Sequence, residues 1–150
     1  MNRLELKIPP VVVVLLITLA MYLTDKLVQW PLVSYPQFAT TLSVIGLAVA
    51  VLGVWQFRRA HTTVDPRAPQ ASSQLVTGGI YRWTRNPMYL GFLLVLAGFA
   101  TKWGNLAVVP WLIVYVLYMN RFQIVPEERI LSAKFGTPYK KYLKQVRRWF

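Results

Sequence analysis

The chain has 150 residues, and 55% of it is apolar, above the roughly 45–50% of an ordinary soluble domain, so it is read as one domain seated in a membrane. It has no cysteine and a single histidine, His61, which excludes disulfides, thiolate zinc sites and cysteine nucleophiles and argues against a histidine-based metal site. The formal net charge of +12 fits the positive-inside rule in so hydrophobic a chain better than it fits nucleic-acid binding.

Ile8 to Leu23 is almost wholly apolar and follows Arg3 and Lys7. No small-residue cleavage site comes after it, and apolar character resumes at Leu27, Val28 and Trp30. It is therefore read as an uncleaved transmembrane helix, started by Pro9 and Pro10. Asp25 and Lys26 mark a short exit loop, which Pro31 and Pro36 keep from continuing the helix.

Phe38 to Phe57 is the cleanest span, long enough to cross a hydrocarbon core of roughly 30 Å. Gly46, Ala50 and Gly53 recur near helical spacing and suit close packing against another helix. Arg58 and Arg59 end it. The stretch from His61 to Ser73, with Asp65, Pro66 and Pro69, has no periodicity and reads as a loop, and His61 is given no role. Gln74 to Thr84 is mixed polar and aromatic, with a bend at Gly78-Gly79 and with Tyr81 and Trp83 suited to the membrane interface.

Pro87 to Thr101 and Leu106 to Tyr118 form a helical hairpin around Gly104 and Asn105. Each arm is short unless its flanks are partly buried. Gly91 and Gly98 suit packing, and Pro110 is a candidate kink. Pro126 then fits a first helical turn, where Glu127 and Glu128 complement the helix dipole. Gly136 and Pro138 interrupt that helix. A last one, capped by Thr137, carries Tyr139, Tyr142, Leu143, Val146 and Trp149 on one face and Lys140, Lys141, Lys144, Arg147 and Arg148 over the rest. This is the composition of a helix lying among anionic headgroups.

The expected fold is thus an all-α integral membrane protein. Four transmembrane helices, the last two a hairpin, precede an amphipathic cytoplasmic tail. Residues 1–59 supply two N-terminal spans and residues 74–150 the functional core. Every Lys and Arg except Lys26 and Lys102 falls on the side of the two termini and the Arg58–Arg85 loop, which puts that side in the cytoplasm. Two polar clusters meet there, Tyr81, Arg85, Asn86 and Tyr89 at one end of the hairpin and Glu127, Glu128 and Arg129 at the other. A carboxylate pair can serve acid–base chemistry, a metal or a bound cation. Adjacent carboxylates on a helix diverge by about 100°, so one is expected in the pocket and the other on Arg129, Arg121 or solvent. Each cluster taken singly also has a structural reading, as a dipole-matched first turn or as a helix start with Asn86 capping and Pro87 following.

Three motifs occur in order. They are Gly79-Ile-Tyr81-Arg-Trp-Thr-Arg85-Asn86-Pro87-Met-Tyr89-Leu-Gly91, Glu127-Glu128-Arg-Ile-Leu131, and Phe135-Gly136-Thr-Pro-Tyr139-Lys-Lys-Tyr142. Together they resemble the integral-membrane methyltransferases typified by isoprenylcysteine carboxyl methyltransferase and the phospholipid N-methyltransferases. The resemblance covers about the last half of the chain. It implies S-adenosylmethionine bound at the cytoplasmic side between the arginine–proline and glutamate motifs, with a lipophilic acceptor arriving from the bilayer. By that resemblance Arg85, Asn86, Pro87 and Tyr89 would line the cofactor site, Gly79 and Tyr81 would shape it, and Glu127, Glu128 and Leu131 would complete it. Glu128, Arg85 and Glu127 would carry the chemistry. Asn86 is a departure, because the eukaryotic enzymes have histidine there.

The acceptor stays open between a lipophilic carboxylate or thiol and a phospholipid amine. Membrane lipids are the expected surroundings, those of a bacterial inner membrane, with no nucleic acid and no metal. The reading from another class is a non-catalytic four-helix membrane scaffold or subunit, which predicts no cofactor affinity.

Overall fold

The computed structural model describes residues 5–63, 65 and 67–150. Arg3 and Pro66, named above, lie outside them. The described residues form helices α1 (Pro10–Leu27), α2 (Pro36–Arg59), α3 (Pro87–Trp103), α4 (Pro110–Tyr118), α5 (Val125–Phe135) and α6 (Thr137–Gln145). No strand occurs among them, only an isolated bridge between Pro31 and Asn105.

Proline sets most of the helix starts. Pro10, Pro36, Pro87 and Pro110 each stand in a first turn, where their missing N–H has no intrahelical partner to lose. Pro110 therefore opens α4 rather than kinking it. Helix α1 also runs past its expected end and takes in Asp25 and Lys26, because nothing before Pro31 breaks it. Lys26 complements the last turn and sits over the Tyr22 ring at 5.4 Å.

Three apolar helical stretches are long enough to cross a membrane, Pro10–Leu27, Pro36–Arg59 and Leu106–Phe135. Helix α3 has 17 residues, about 25 Å at 1.5 Å per residue, shorter than a bilayer core. It packs along α2 through small residues. A Cβ on Gly46 would stand 2.6 Å from the carbonyl oxygen of Gly91, so the two backbones approach as closely as glycine allows.

The long C-terminal apolar helix is not a hairpin arm followed by a fresh helix. Met119–Ile124 is π-helical and joins α4 to α5 without a break. Pro126 cannot donate to the Phe122 carbonyl four residues back. That carbonyl instead accepts the Leu6 N–H at 3.0 Å. Glu127 and Glu128 consequently sit inside a continuous helix, not at a free positive end, so a helix dipole does not account for them. The Leu6 contact also brings buried Glu5 between Arg121 and Arg129, at 3.2 and 3.4 Å. These are the arginines expected to attend Glu127 or Glu128.

At the opposite end of the molecule, buried Asn105 donates to Asp25 Oδ1 at 3.0 Å and to the Val28 carbonyl at 2.7 Å. It also accepts the Trp30 N–H at 3.2 Å. These bonds hold the turn between α3 and α4 against the segment after α1.

Candidate active site

A pocket opens at the end of the bundle where α3 begins and α5 starts. Of the residues singled out from the sequence, Tyr81, Arg85, Asn86, Tyr89, Glu127, Glu128 and Leu131 all line it. Gly79 and Pro87 stand outside the lining. Pro87 is buried at the start of α3 against α2, where a Cβ on Gly53 would meet its ring at 3.1 Å. Gly79 makes the turn that presents Tyr81. Its φ of +53° suits glycine, and its Cα faces the Gln56 side chain with no room for a Cβ. With its amide turned to satisfy both neighbours, Gln56 donates to the Gly78 carbonyl at 2.9 Å and accepts from Ile80 N at 3.1 Å.

The two carboxylates have different surroundings. Glu127 Oε1 accepts the Tyr89 hydroxyl at 2.5 Å and Gln123 Nε2 at 2.7 Å, both uncharged donors. Tyr89 is fixed in turn, since its carbonyl accepts the Tyr115 hydroxyl at 3.1 Å. Glu128 is held by two guanidiniums. Arg85 Nη2 lies 2.8 Å from Oε1, and Arg148 grips both oxygens, Nε at 3.1 Å and Nη2 at 2.6 Å. The Arg85 and Glu128 side chains are only 12% and 16% exposed, so this pair is far better shielded than a surface salt bridge.

Arg85 has further commitments. Its Nη1 donates to the carbonyls of Leu143 and Val146 at 2.8 and 3.0 Å, at the end of α6 where helical carbonyls lack partners. Its Nε is buried and has no hydrogen-bond partner. Asn86 occupies the N-cap position of α3 without capping it. Its side chain donates to the Arg148 carbonyl at 2.9 Å, and the Thr84 hydroxyl donates to the same oxygen at 3.2 Å.

Sequence reasoning missed Arg148, whose partner lies 20 positions away, and misplaced the last helix. Thr137 does not cap it. Gly136 is the N-cap residue, and α6 ends at Gln145 with Val146 already extended. The face carrying Tyr139 and Tyr142 covers protein, not lipid headgroups. Both rings are buried with Tyr81, which is also internal and not interfacial. Tyr142 donates its hydroxyl to the Tyr81 carbonyl at 2.7 Å, and Phe57 meets the Tyr81 ring edge-on at 5.2 Å. Burial pushes the Tyr81, Tyr139 and Tyr142 hydroxyls above the usual tyrosine range, so all three are donors at neutral pH. Phe57 near the end of α2 lines the wall, as do Ser72, Leu75 and Val76 from the α2–α3 connection, a region with no periodic signal. His61 is exposed and takes no part in the lining.

The arrangement offers shielded anionic oxygens, aromatic walls and one unpartnered guanidinium N–H. It suits a ligand that carries both a positive centre and an acceptor group. Among the described residues no group of three or more His, Asp or Glu is placed to hold a metal. A family model for phospholipid methyltransferase matches residues 36–138. The chain belongs to this family.

The matched stretch runs from α2 to the start of α6 and contains both the Arg85 and the Glu127–Glu128 motifs, while Arg148 lies beyond it. The chain is 30% identical over 125 residues to a probable protein-S-isoprenylcysteine O-methyltransferase of Oryza sativa subsp. indica, covering 83% of this chain and 64% of the rice protein. It is 35% identical over 74 residues to the protein-S-isoprenylcysteine O-methyltransferase of Schizosaccharomyces pombe, covering 48% of this chain and 30% of that protein. An uncharacterized protein of Haemophilus influenzae is 42% identical over 62 residues, 41% of this chain and 98% of its own length. The chain thus spans less than two thirds of the two named methyltransferases. No solved structure matches.

Proposed function

We propose that the chain is an S-adenosylmethionine-dependent methyltransferase that works in a bacterial inner membrane on a lipophilic carboxylate or thiol. One observation carries the reading: the arginine–tyrosine and glutamate motifs, 38 positions apart at Tyr89 and Glu127, share one pocket wall through a direct hydrogen bond. The lysine and arginine bias supports a cytoplasmic side for the site and both termini. Four spans, with α3 the shortest, complete the topology.

The residues present fit the cofactor. The Arg85 Nε–H is a buried donor awaiting an acceptor, and buried donors are rarely left without one. When bound, S-adenosylmethionine supplies an electrophilic methyl group whose bond to sulfur breaks as the acceptor's lone pair forms the new bond, leaving a neutral thioether.

The chain's own residues bind, orient and exclude water. Glu127, bonded only to neutral donors in the described contacts, presents its carboxyl oxygens to a cationic centre. The Tyr81–Tyr139–Tyr142 cluster keeps the far wall dry. A carboxylate is ionised at neutral pH and a thiol has an ordinary pKa of about 8.5, so neither acceptor demands a dedicated base. Positioning and exclusion of water then supply the catalysis.

Glu127 also favours a second reading. An amine acceptor has to lose a proton, and a carboxylate bonded to no guanidinium can take it, which suits a phospholipid amine. Methyl-labelled cofactor incubated with membranes containing the protein separates these outcomes. A labelled ester or thioether in the lipid fraction is expected, labelled phospholipid headgroup supports the amine reading, and label confined to soluble compounds contradicts both.

A further inference from the structure

After α6 the chain turns extended, and Val146–Phe150 lies as a strap across the start of α3. Its backbone is docked independently of its side chains. The Arg85 N–H donates to the Arg147 carbonyl at 3.0 Å, and Thr84 and Asn86 both donate to the Arg148 carbonyl. Trp149 adds a bond from Nε1 to Asn120 Oδ1 at 3.1 Å. The Arg148 side chain is therefore free to do something other than hold the strap in place.

What it does is grip Glu128. A carboxylate beside a guanidinium favours a two-point approach, and for Arg85 the edge made by Nε and Nη2 is available. Glu128 does not take it. It touches Arg85 through Nη2 alone, while Arg148 holds Oε2 at 2.6 Å and Oε1 at 3.1 Å. The Arg85 Nε–H remains buried and without a partner, in a residue that lines the pocket.

We propose that Arg148 is a positioning residue that holds Glu128 off the Nε edge of Arg85, keeping that N–H open for an acceptor oxygen on the ligand. The inference rests on the methyltransferase reading, and it identifies the ligand group as the carboxylate of the cofactor's amino-acid part. Arg148 stands outside the lining and acts only through Glu128. Without it, Glu128 closes on Arg85 at two points and consumes the donor.

The test compares two neutral-sulfur ligands, S-adenosylhomocysteine, which has the carboxylate, and 5′-methylthioadenosine, which lacks it. Affinities are measured for purified wild type, Arg148→Gln and Arg148→Lys. Arg148→Gln is expected to lose roughly tenfold or more toward S-adenosylhomocysteine, the scale of one hydrogen bond to a charged group, with 5′-methylthioadenosine binding unchanged. Arg148→Lys keeps the charge but not the fork and falls between wild type and Arg148→Gln. Equal losses toward both ligands, or none toward either, overturn the proposal. If Arg148→Gln does not fold, Arg148→Lys decides alone: a selective loss toward S-adenosylhomocysteine supports the proposal and wild-type affinity overturns it. A wild-type protein that binds neither ligand contradicts the methyltransferase reading itself, a result distinct from these.

Discussion

The Tyr89 hydroxyl donates to Glu127 Oε1 at 2.5 Å, tying the start of α3 to the start of α5 in one wall of the pocket. The next residue along, Glu128, is met by Arg85 and Arg148. The two neighbouring carboxyl groups therefore have different partners in the same site. Glu128 is met by two guanidiniums, and Glu127 by two uncharged donors.

Glu127→Gln keeps the shape and removes the carboxyl group. Affinity for S-adenosylmethionine is expected to fall roughly tenfold or more, while affinity for the uncharged-sulfur product S-adenosylhomocysteine falls less. Calorimetric titration of both ligands checks this. Equal losses would show that Glu127 does not sense the sulfonium.

Arg85 combines a buried, unpartnered Nε with bonds to Leu143, Val146 and Glu128. Arg85→Ala is expected to abolish binding and to lower stability by about 1–3 kcal/mol, since it leaves helix carbonyls unsatisfied at the end of α6. Arg85→Lys retains charge without the fork and should recover little of either. Thermal unfolding in detergent beside a binding titration gives both quantities.

Much of this was legible in the sequence. Apolar runs mark α1, α2 and α3, and Pro10 and Pro87 mark helix starts, because span length and the missing proline N–H are local properties, whereas Pro36 and Pro110, read as a loop residue and a kink, open α2 and α4. The Arg85 and Glu127–Glu128 motifs are legible as motifs. What pairs with them is not, because ion-pair partners are set by tertiary placement. Arg121 and Arg129 were the near choices on the helix, yet Pro126 frees the Phe122 carbonyl, Leu6 docks on it, and Glu5 arrives between the two arginines. The amphipathic face of Tyr139 and Tyr142 was visible, but periodicity does not say whether lipid or protein covers it. Arg148 lies on an extended strap, where helical spacing gives no information.

Close packing of α2 on α3 positions the Arg85 motif. Gly91→Leu places a branched side chain against the Gly46 carbonyl and Ala50, and it is expected to destabilise the fold by about 1–3 kcal/mol or more. Gly78→Ala, where a Cβ meets nothing within 4 Å, should leave the unfolding temperature nearly unchanged. Similar unfolding temperatures for the two variants would contradict the packing described.

The buried Tyr81, Tyr139 and Tyr142 hydroxyls have folded-state pKa values raised by burial. The folded protein then holds protons that the unfolded chain releases above the ordinary tyrosine value of about 10. Stability is intact below that pH and declines as pH climbs from there toward the raised folded-state values. Tyr142→Phe removes one such group and its bond to the Tyr81 carbonyl, so it should be about 1 kcal/mol less stable at neutral pH and lose less on going alkaline. Unfolding midpoints between pH 8 and about 11 would show the two curves converging.

The most direct measurement is a titration of the purified, detergent-solubilised protein with S-adenosylmethionine. Saturable binding that is abolished by Arg85→Ala and unaffected by His61→Ala is the expected result. No binding at millimolar cofactor, or equal binding by Arg85→Ala, would contradict the assignment of this pocket as a methyl-donor site.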